Sequence, residues 1–249
     1  MPAGRNGEAG VSDEDQRLGA PVPGWVPPAR PDWARREGRH VRLERLDPAR
    51  HAADLHAANR ESDAIWDFLP YGPFATLPRY RDWADGMAGR DDPWFVALID
   101  AGTGRAGGVA SYLRIDPAAG SIEVGHINLS PRLQRSRAAT EAMFLMMGWV
   151  FEAGYRRYEW KCNALNLGSR RAAERFGFSH EGTFRQAAVV KGRNRDTTWF
   201  AAIDRDWPAL KAAYETWLDP ANFDADGRQR QRLADLTRPL LVARDPALV

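Results

Sequence analysis

Two stretches of this chain carry groups arranged for chemistry. The first, Glu123-Val-Gly-His126-Ile127-Asn-Leu129-Ser-Pro-Arg-Leu-Gln134-Arg135-Ser136-Arg137-Ala138-Ala139-Thr140-Glu141, reads as a strand, a loop and the start of a helix. A loop that runs straight into a helix leaves backbone N–H groups without intrahelical partners, with the positive end of the helix dipole behind them. Such a place can receive a phosphate. Arg135 and Arg137 add positive charge, and Ala138 and Ala139 are small enough to let phosphates approach the backbone. The same residues also fit an ordinary strand-to-helix connection, with Thr140 and Glu141 favouring a helix start. The second stretch runs from Asn163 to Phe178, follows a strand and forms a short helix closing at Gly177. Asn166 suits its N-cap, with Ser169 in the first turn. Histidines 40, 51, 56 and 180 show no metal-ligand spacing. The lone Cys162 excludes an internal disulfide and a multi-cysteine zinc site, so no metal is expected.

The elements that must position these groups follow from pattern. Alternation over 40–46 predicts a strand, and Pro48 opens a helix to about Asn59. Residues 61–77 mix aromatics with Pro and Gly and read as a loop with room for one short helix. A helix from Pro78 to about Gly89 comes next. Strands at 94–100, 107–115 and 121–129, joined by short Gly-containing turns, form an antiparallel meander. Ala138–Ala153 has helical spacing and ends at Gly154. A strand at 155–162, a helix at 167–176, strands at 180–190 and 196–204 about the Lys191–Asn194 turn, and a helix at 207–217 complete the order.

Residues 1–38 hold six prolines and few aliphatic side chains, so a flexible arm is expected, with Trp25 and Trp33 able to dock. Residues 219–249 form a polar, arginine-rich extension with a helix near 227–236. The 249 residues carry 35 basic and 33 acidic side chains, and this near-balance argues against direct nucleic-acid binding. Only three basic residues are lysines, so the arginines express a whole-chain bias rather than phosphate specificity. The longest apolar run, Ala142–Phe151, is too short to span a membrane, and the first 25 residues lack an apolar signal-like stretch. A soluble, cytoplasmic chain without membrane contact is expected.

Four features together resemble the GNAT superfamily of N-acetyltransferases, in its RimJ/RimL-type branch. They are Gln134-Arg-Ser-Arg-Ala-Ala139 followed by Thr140-Glu-Ala142, Asn166-x-x-Ser169 ahead of Phe176-Gly-Phe178, Glu181-Gly182, and the Lys191-Gly192…Asp196 hairpin. The resemblance covers about residues 39–218. It implies an α/β (α+β) fold with a mixed, mostly antiparallel central sheet of about seven strands, a V-shaped splay and helices on both faces. It also implies acetyl-CoA as co-substrate, its pyrophosphate on the amides of Gln134, Arg135, Ser136, Arg137, Ala138 and Ala139 beside Thr140. Pantetheine would pair with the backbone of Ile127 and Leu129, and the thioester would lie near Asn166 and Ser169.

In that setting Glu123 is the leading candidate base, direct or through a water, and Ser169 the group that serves the leaving thiolate. Backbone N–H groups of the 127–129 strand would stabilise the oxyanion. His126 is a second candidate at the acceptor side, although alternation puts it on the opposite face from Glu123. Trp66, Phe68, Tyr71 and Phe74 form either an aromatic acceptor pocket or plain core. The sequence departs from the family pattern at three places: Arg137 stands for the central glycine of the phosphate loop, Ala173 for a frequent tyrosine acid, and Ala188 for a glutamate base. The expected reaction is direct attack by a primary amine in a ternary complex. The amine is a protein N-terminus such as a ribosomal protein's, or a small molecule such as a polyamine, an antibiotic or an aminoacyl nucleotide. A CoA-binding module without turnover is the alternative, and a homodimer is open.

Overall fold

The computed structural model describes residues 17–248. One eight-stranded sheet runs through the molecule in the order β1-β2-β3-β4-β5-β6-β8-β7. Its strands are β1 (Arg35–Glu37), β2 (Val41–Arg45), β3 (Trp94–Asp100), β4 (Ala106–Asp116), β5 (Ser121–Leu129), β6 (Arg157–Asn163), β7 (Ser179–Val190) and β8 (Arg193–Ile203). Among the described strands, only β5 and β6 pair in parallel. Helices α1 (Pro48–Asn59) and α2 (Leu77–Ala88) lie on one face, and α3 (Arg137–Glu152) and α5 (Trp207–Leu218) on the other. β3 shows why both faces are covered. Trp94, Val96 and Leu98 enter the larger core with α3, while Phe95, Ala97 and Ile99 enter the smaller one with α1 and α2. No helix among the described residues is long and apolar enough to cross a membrane.

Local chemistry sets the boundaries. The Asp47 side chain accepts from the Ala49 amide (3.0 Å) and Pro48 opens α1. The β7–β8 turn is tighter than Lys191–Asn194. Lys191 (φ 49°) and Gly192 (φ 73°) are its two central residues, both left-handed, which is the turn whose twist suits a two-residue hairpin. β8 therefore starts at Arg193.

The eighth strand corrects the sequence reading. β1 lies within the segment expected to be a free arm, and pairs with β2 from Arg35↔Glu44 to Glu37↔Arg42. Its turn is held by the Glu141 carboxylate of α3, which accepts from the amides of Arg39 (2.9 Å), His40 (2.6 Å) and Val41 (2.9 Å). A Cβ at Gly38 would fall against that carboxylate, so a larger residue there would push Glu141 away from these amides. Before β1, the Trp33 ring packs 4.6 Å from Trp94, and the Tyr155 hydroxyl donates to the Ala29 carbonyl. Apolar docking and a strand ladder outweigh the ordering entropy of this Pro-rich segment; residues 1–16 lie outside the described part.

The extension is also folded back. Beyond α5 come a 3-10 turn (Pro220–Asn222), helix α6 (Leu233–Thr237) and a second 3-10 turn (Arg238–Leu240), so the helix expected near 227–236 is shorter and later. Leu233 is fully buried.

Two irregularities open the sheet where the chemistry is expected. β5 and β6 pair only from Ser121↔Arg157 to Val124↔Trp160, after which β6 continues along β8 and β5 along β4. The β4–β5 register also shifts between Val109 and Ser111, where His126 adopts φ 51°. An extra residue with left-handed backbone is a β-bulge, which bends its strand and increases its twist.

Candidate active site

The splay opens a cleft of about 1360 Å³. Its floor is β5 from Glu123 to Leu129 on one side and Trp160–Asn163 of β6 on the other. Helix α4 (Leu167–Arg175) and the first turns of α3 wall one end, and residues 64–70 wall the other.

The bulge overturns the alternation argument for His126. Gly125 pairs with Ser111 and Asn128 with Val109, so three steps on β5 face two on β4. Gly125 and His126 then point to the same side, and His126 shares the cleft wall with Glu123. Tyr71 OH lies 2.9 Å from His126 Nδ1, with the two rings stacked 5.6 Å apart, and Phe95 closes the other side at 5.2 Å. Burial, reinforced by Arg114 and Arg195, brings the His126 pKa down to about 4. The imidazole is therefore neutral at ordinary pH.

Glu123 is almost fully buried, 3% exposed. Arg114 Nη1 donates to its carboxylate at 2.5 Å, and Lys161 Nζ lies 3.0 Å away. Lys161 also pairs with Glu159 at 2.7 Å and sits 3.6 Å from the centre of the Trp199 ring. Burial pushes the Glu123 carboxyl above the usual carboxylate range, and the two cations oppose that rise without cancelling it. Sequence patterning does not single out Arg114 or Lys161. The available signal was the run Arg157, Glu159, Lys161 on alternate positions of an interior strand.

At the other end, Ser136 caps α3. Its Oγ accepts from the Ala139 amide (3.0 Å) and donates to the Leu133 carbonyl (2.6 Å). The amides of Gln134 and Ser136 are also bonded within the loop, to Ser130 and Leu133 carbonyls. Of the six amides expected at a phosphate, those of Arg135, Arg137 and Ala138 have no acceptor among the described residues. The left-handed residue is Arg135 (φ 59°), so Arg137 fits as the first helical residue and needs no glycine. Ile127 and Leu129 line the cleft, with the Leu129 carbonyl already accepting from Gln134 Nε2 at 3.0 Å. Thr140 Oγ1 accepts from Arg175 at 3.1 Å.

On α4, the Asn166 side-chain oxygen accepts from the Ser169 amide (3.0 Å), the helix cap. Ser169 Oγ accepts from Trp160 Nε1 at 3.0 Å, which leaves its own proton to donate. Both residues line the cleft. Cys162 lines it as well, with its thiol pushed up to about 11 by burial. Ala173 faces the core, with Ala172 and Phe176 on the cleft wall.

The aromatics divide. Phe68 lines the cleft and is partly exposed, and Tyr71 serves His126. Trp66, at 3% exposed, belongs to the core, with Phe74 packed against it. Lys191 Nζ donates to the Trp66 carbonyl (2.9 Å), tying the β7–β8 turn to this loop. Sequence reading also missed Trp217, Phe223, Gly227, Arg228 and Gln229, which line the far end of the cleft from α5 and the extension.

A sequence model of the acetyltransferase (GNAT) domain matches residues 40–179. A crystal structure of a GCN5-related N-acetyltransferase from Brucella melitensis is 47% identical, covers 87% of this chain and 100% of its own, and superposes with a TM-score of 0.85. A GNAT-family acetyltransferase structure from Chromobacterium violaceum is 41% identical over 76% of this chain and 96% of its own, TM-score 0.72. The Bacillus subtilis protein YdaF, named as a candidate ribosomal N-acetyltransferase, is 25% identical over 180 residues, 69% of this chain and 96% of YdaF.

Proposed function

The chain belongs to the GNAT acetyltransferase family, and from that premise we propose that it acetylates a primary amine in the manner of the RimJ/RimL-type branch. Enzymes of this family take the acetyl group from acetyl-CoA. The acceptor is a polypeptide N-terminal α-amine, such as a ribosomal protein's, or a small-molecule amine. One observation carries the reading. A single cleft joins the buried Glu123 carboxylate to a distant end formed by the free amides of α3 and the guanidinium groups of Arg135, Arg137, Arg171 and Arg175. That end fits the phosphates of acetyl-CoA, and the splayed β5 edge fits its pantetheine arm.

Glu123, with its pKa raised by burial, takes the proton from the attacking ammonium, directly or through a water. An α-amino group, with a pKa of about 8, gives that proton up more readily than a lysine side chain at about 10.4. The amine nitrogen then bonds to the thioester carbonyl carbon while the C–S bond breaks. Backbone N–H groups of the bulged β5 strand meet the oxyanion. As the C–S bond breaks, Ser169, its oxygen held by Trp160, passes its hydroxyl proton to the departing sulfur and takes in return the second proton that the acylated nitrogen must lose, so the serine ends unchanged. The protonated Cys162 thiol supports direct transfer without an acyl-enzyme.

The test is thermal unfolding with acetyl-CoA, using ATP and NAD as controls, followed by thiol release over a panel of amines. A ligand at a hundred times its Kd stabilises by about 2.7 kcal/mol, a visible rise in Tm. A rise with acetyl-CoA alone and turnover with one amine class supports the reading. Tight coenzyme binding with a silent panel favours a non-catalytic CoA-binding module, and no rise at all removes the coenzyme assignment.

A further inference from the structure

The residues after α5 lie outside the matched family region, yet they close one end of the cleft. They are built for it. Asn222 braces the segment, its Nδ2 donating to the Trp217 and Gln231 carbonyls (3.0 and 3.1 Å) and its Oδ1 accepting from the Gln231 amide (2.8 Å). Phe223 bridges to Gln229, and between them Asp224 Oδ1 accepts from the amides of Asp226 (3.0 Å) and Arg228 (2.8 Å). Trp217 Nε1 donates to Gln229 Oε1 at 2.7 Å. The result is a fixed hairpin that presents Phe223, Gly227 and Arg228 to the cleft.

This hairpin meets guanidinium groups that lack counter-charges. The Phe223 ring lies 4.0 Å from the Arg137 guanidinium, and the Trp217 ring 5.3 Å from that of Arg175. Neither arginine has a carboxylate partner among the described residues. Burial pulls the Arg175 pKa below the usual value, the sign of a cation kept from water without an anion. Arg228 has only Asp226, at 3.6 Å on an exposed turn. Glu123, the one carboxylate residue on the cleft wall among the described residues, sits toward the opposite end. Like charges gathered this way repel, and a doubly charged anion with several acceptor oxygens reverses the balance.

We propose that the extension forms a clamp in which Arg137, Arg175 and Arg228 receive a phosphomonoester on the nucleotide end of the coenzyme, the 3′-phosphate that distinguishes CoA from dephospho-CoA. The inference rests on the coenzyme reading above. A phosphomonoester carries about −1.5 to −2 charge near neutral pH and three acceptor oxygens, a match for forked guanidinium donors.

Calorimetric titration of the full chain with CoA and with dephospho-CoA, at one fixed salt concentration, tests it. The wild type binds CoA at least about tenfold more tightly, as charge-assisted hydrogen bonds imply. Arg228→Ala, on an exposed turn that leaves the core intact, brings the ratio toward one without changing the Kd for dephospho-CoA. Phe223→Leu, which unseats Arg137, lowers the ratio too. Equal binding of both ligands by the wild type, or equal weakening of both by Arg228→Ala, overturns the clamp while leaving the coenzyme assignment standing. Failure of both ligands to bind the wild type overturns the assignment itself.

Discussion

A buried carboxylate between two cations feels opposing pulls, and for Glu123 the loss of water outweighs Arg114 and Lys161. As the proposed base, Glu123 would work only when ionised, so kcat/KM is expected to fall as pH drops through its pKa. Lys161→Met removes one opposing cation, so that limb should move to higher pH, as a pH–rate profile will read; an unmoved limb assigns it to another group. His126 cannot supply the limb near neutrality, because its pKa of about 4 already leaves it neutral there. Glu123→Gln should lower kcat by about 10²- to 10⁴-fold with coenzyme affinity within a few-fold, and retained turnover would leave the proton to water alone. Ser169→Ala should slow turnover at unchanged coenzyme affinity, and an unaffected rate removes its hydroxyl from the reaction. That Glu123 and Ser169 would share a cleft was legible because each sits at a fixed offset within a recognisable strand or helix start. Lys161 was not, since its meaning arises from the parallel register Glu123↔Glu159, which only the assembled sheet defines.

At the scale of elements, the strands and helices followed from alternation, Pro and Gly, while the departures came from backbone irregularity. No residue type announces the bulge at His126, since a non-glycine residue adopts left-handed backbone only uncommonly; the imidazole there lies against Tyr71 and Phe95. One irregular residue therefore decided which face the imidazole occupies. The start of α3 raises a similar question of competing uses. Ser136 holds the Ala139 amide that a phosphate would otherwise take. Ser136→Ala should cost about 1 kcal/mol of stability through loss of the cap, read as a lower urea midpoint. Coenzyme affinity should hold or improve, since the amide is freed. A tenfold loss of affinity would instead make the hydroxyl itself a phosphate ligand.

At the scale of the whole molecule, both terminal segments read as polar and Pro- or Arg-rich, and of their described residues, 29–37 and 219–248 fold onto the domain. Composition missed this because a few anchors suffice: Trp33 for the first segment, Leu233 and Asp245 for the last. Asp245 is fully buried and accepts from Arg170 Nε and Nη2, while its own amide donates to Glu174. The tail is thereby fastened to α4, the helix that carries Ser169. Burial alone would raise the Asp245 pKa, but the Arg170 hydrogen bonds prevail and hold it below the usual value. A depressed folded pKa contributes stability that is present above the unfolded value of about 3.9 and disappears as pH falls through the lower folded value. Asp245→Ala strands a buried guanidinium and should cost about 3–5 kcal/mol near neutral pH. Urea unfolding at neutral and acid pH should show the gap between wild type and variant narrowing in acid, as protonation of Asp245 removes the same charge from the wild type. A gap of equal size at both pH values would mean that the side chain acts through packing, and that the tail is held to α4 by shape instead of charge.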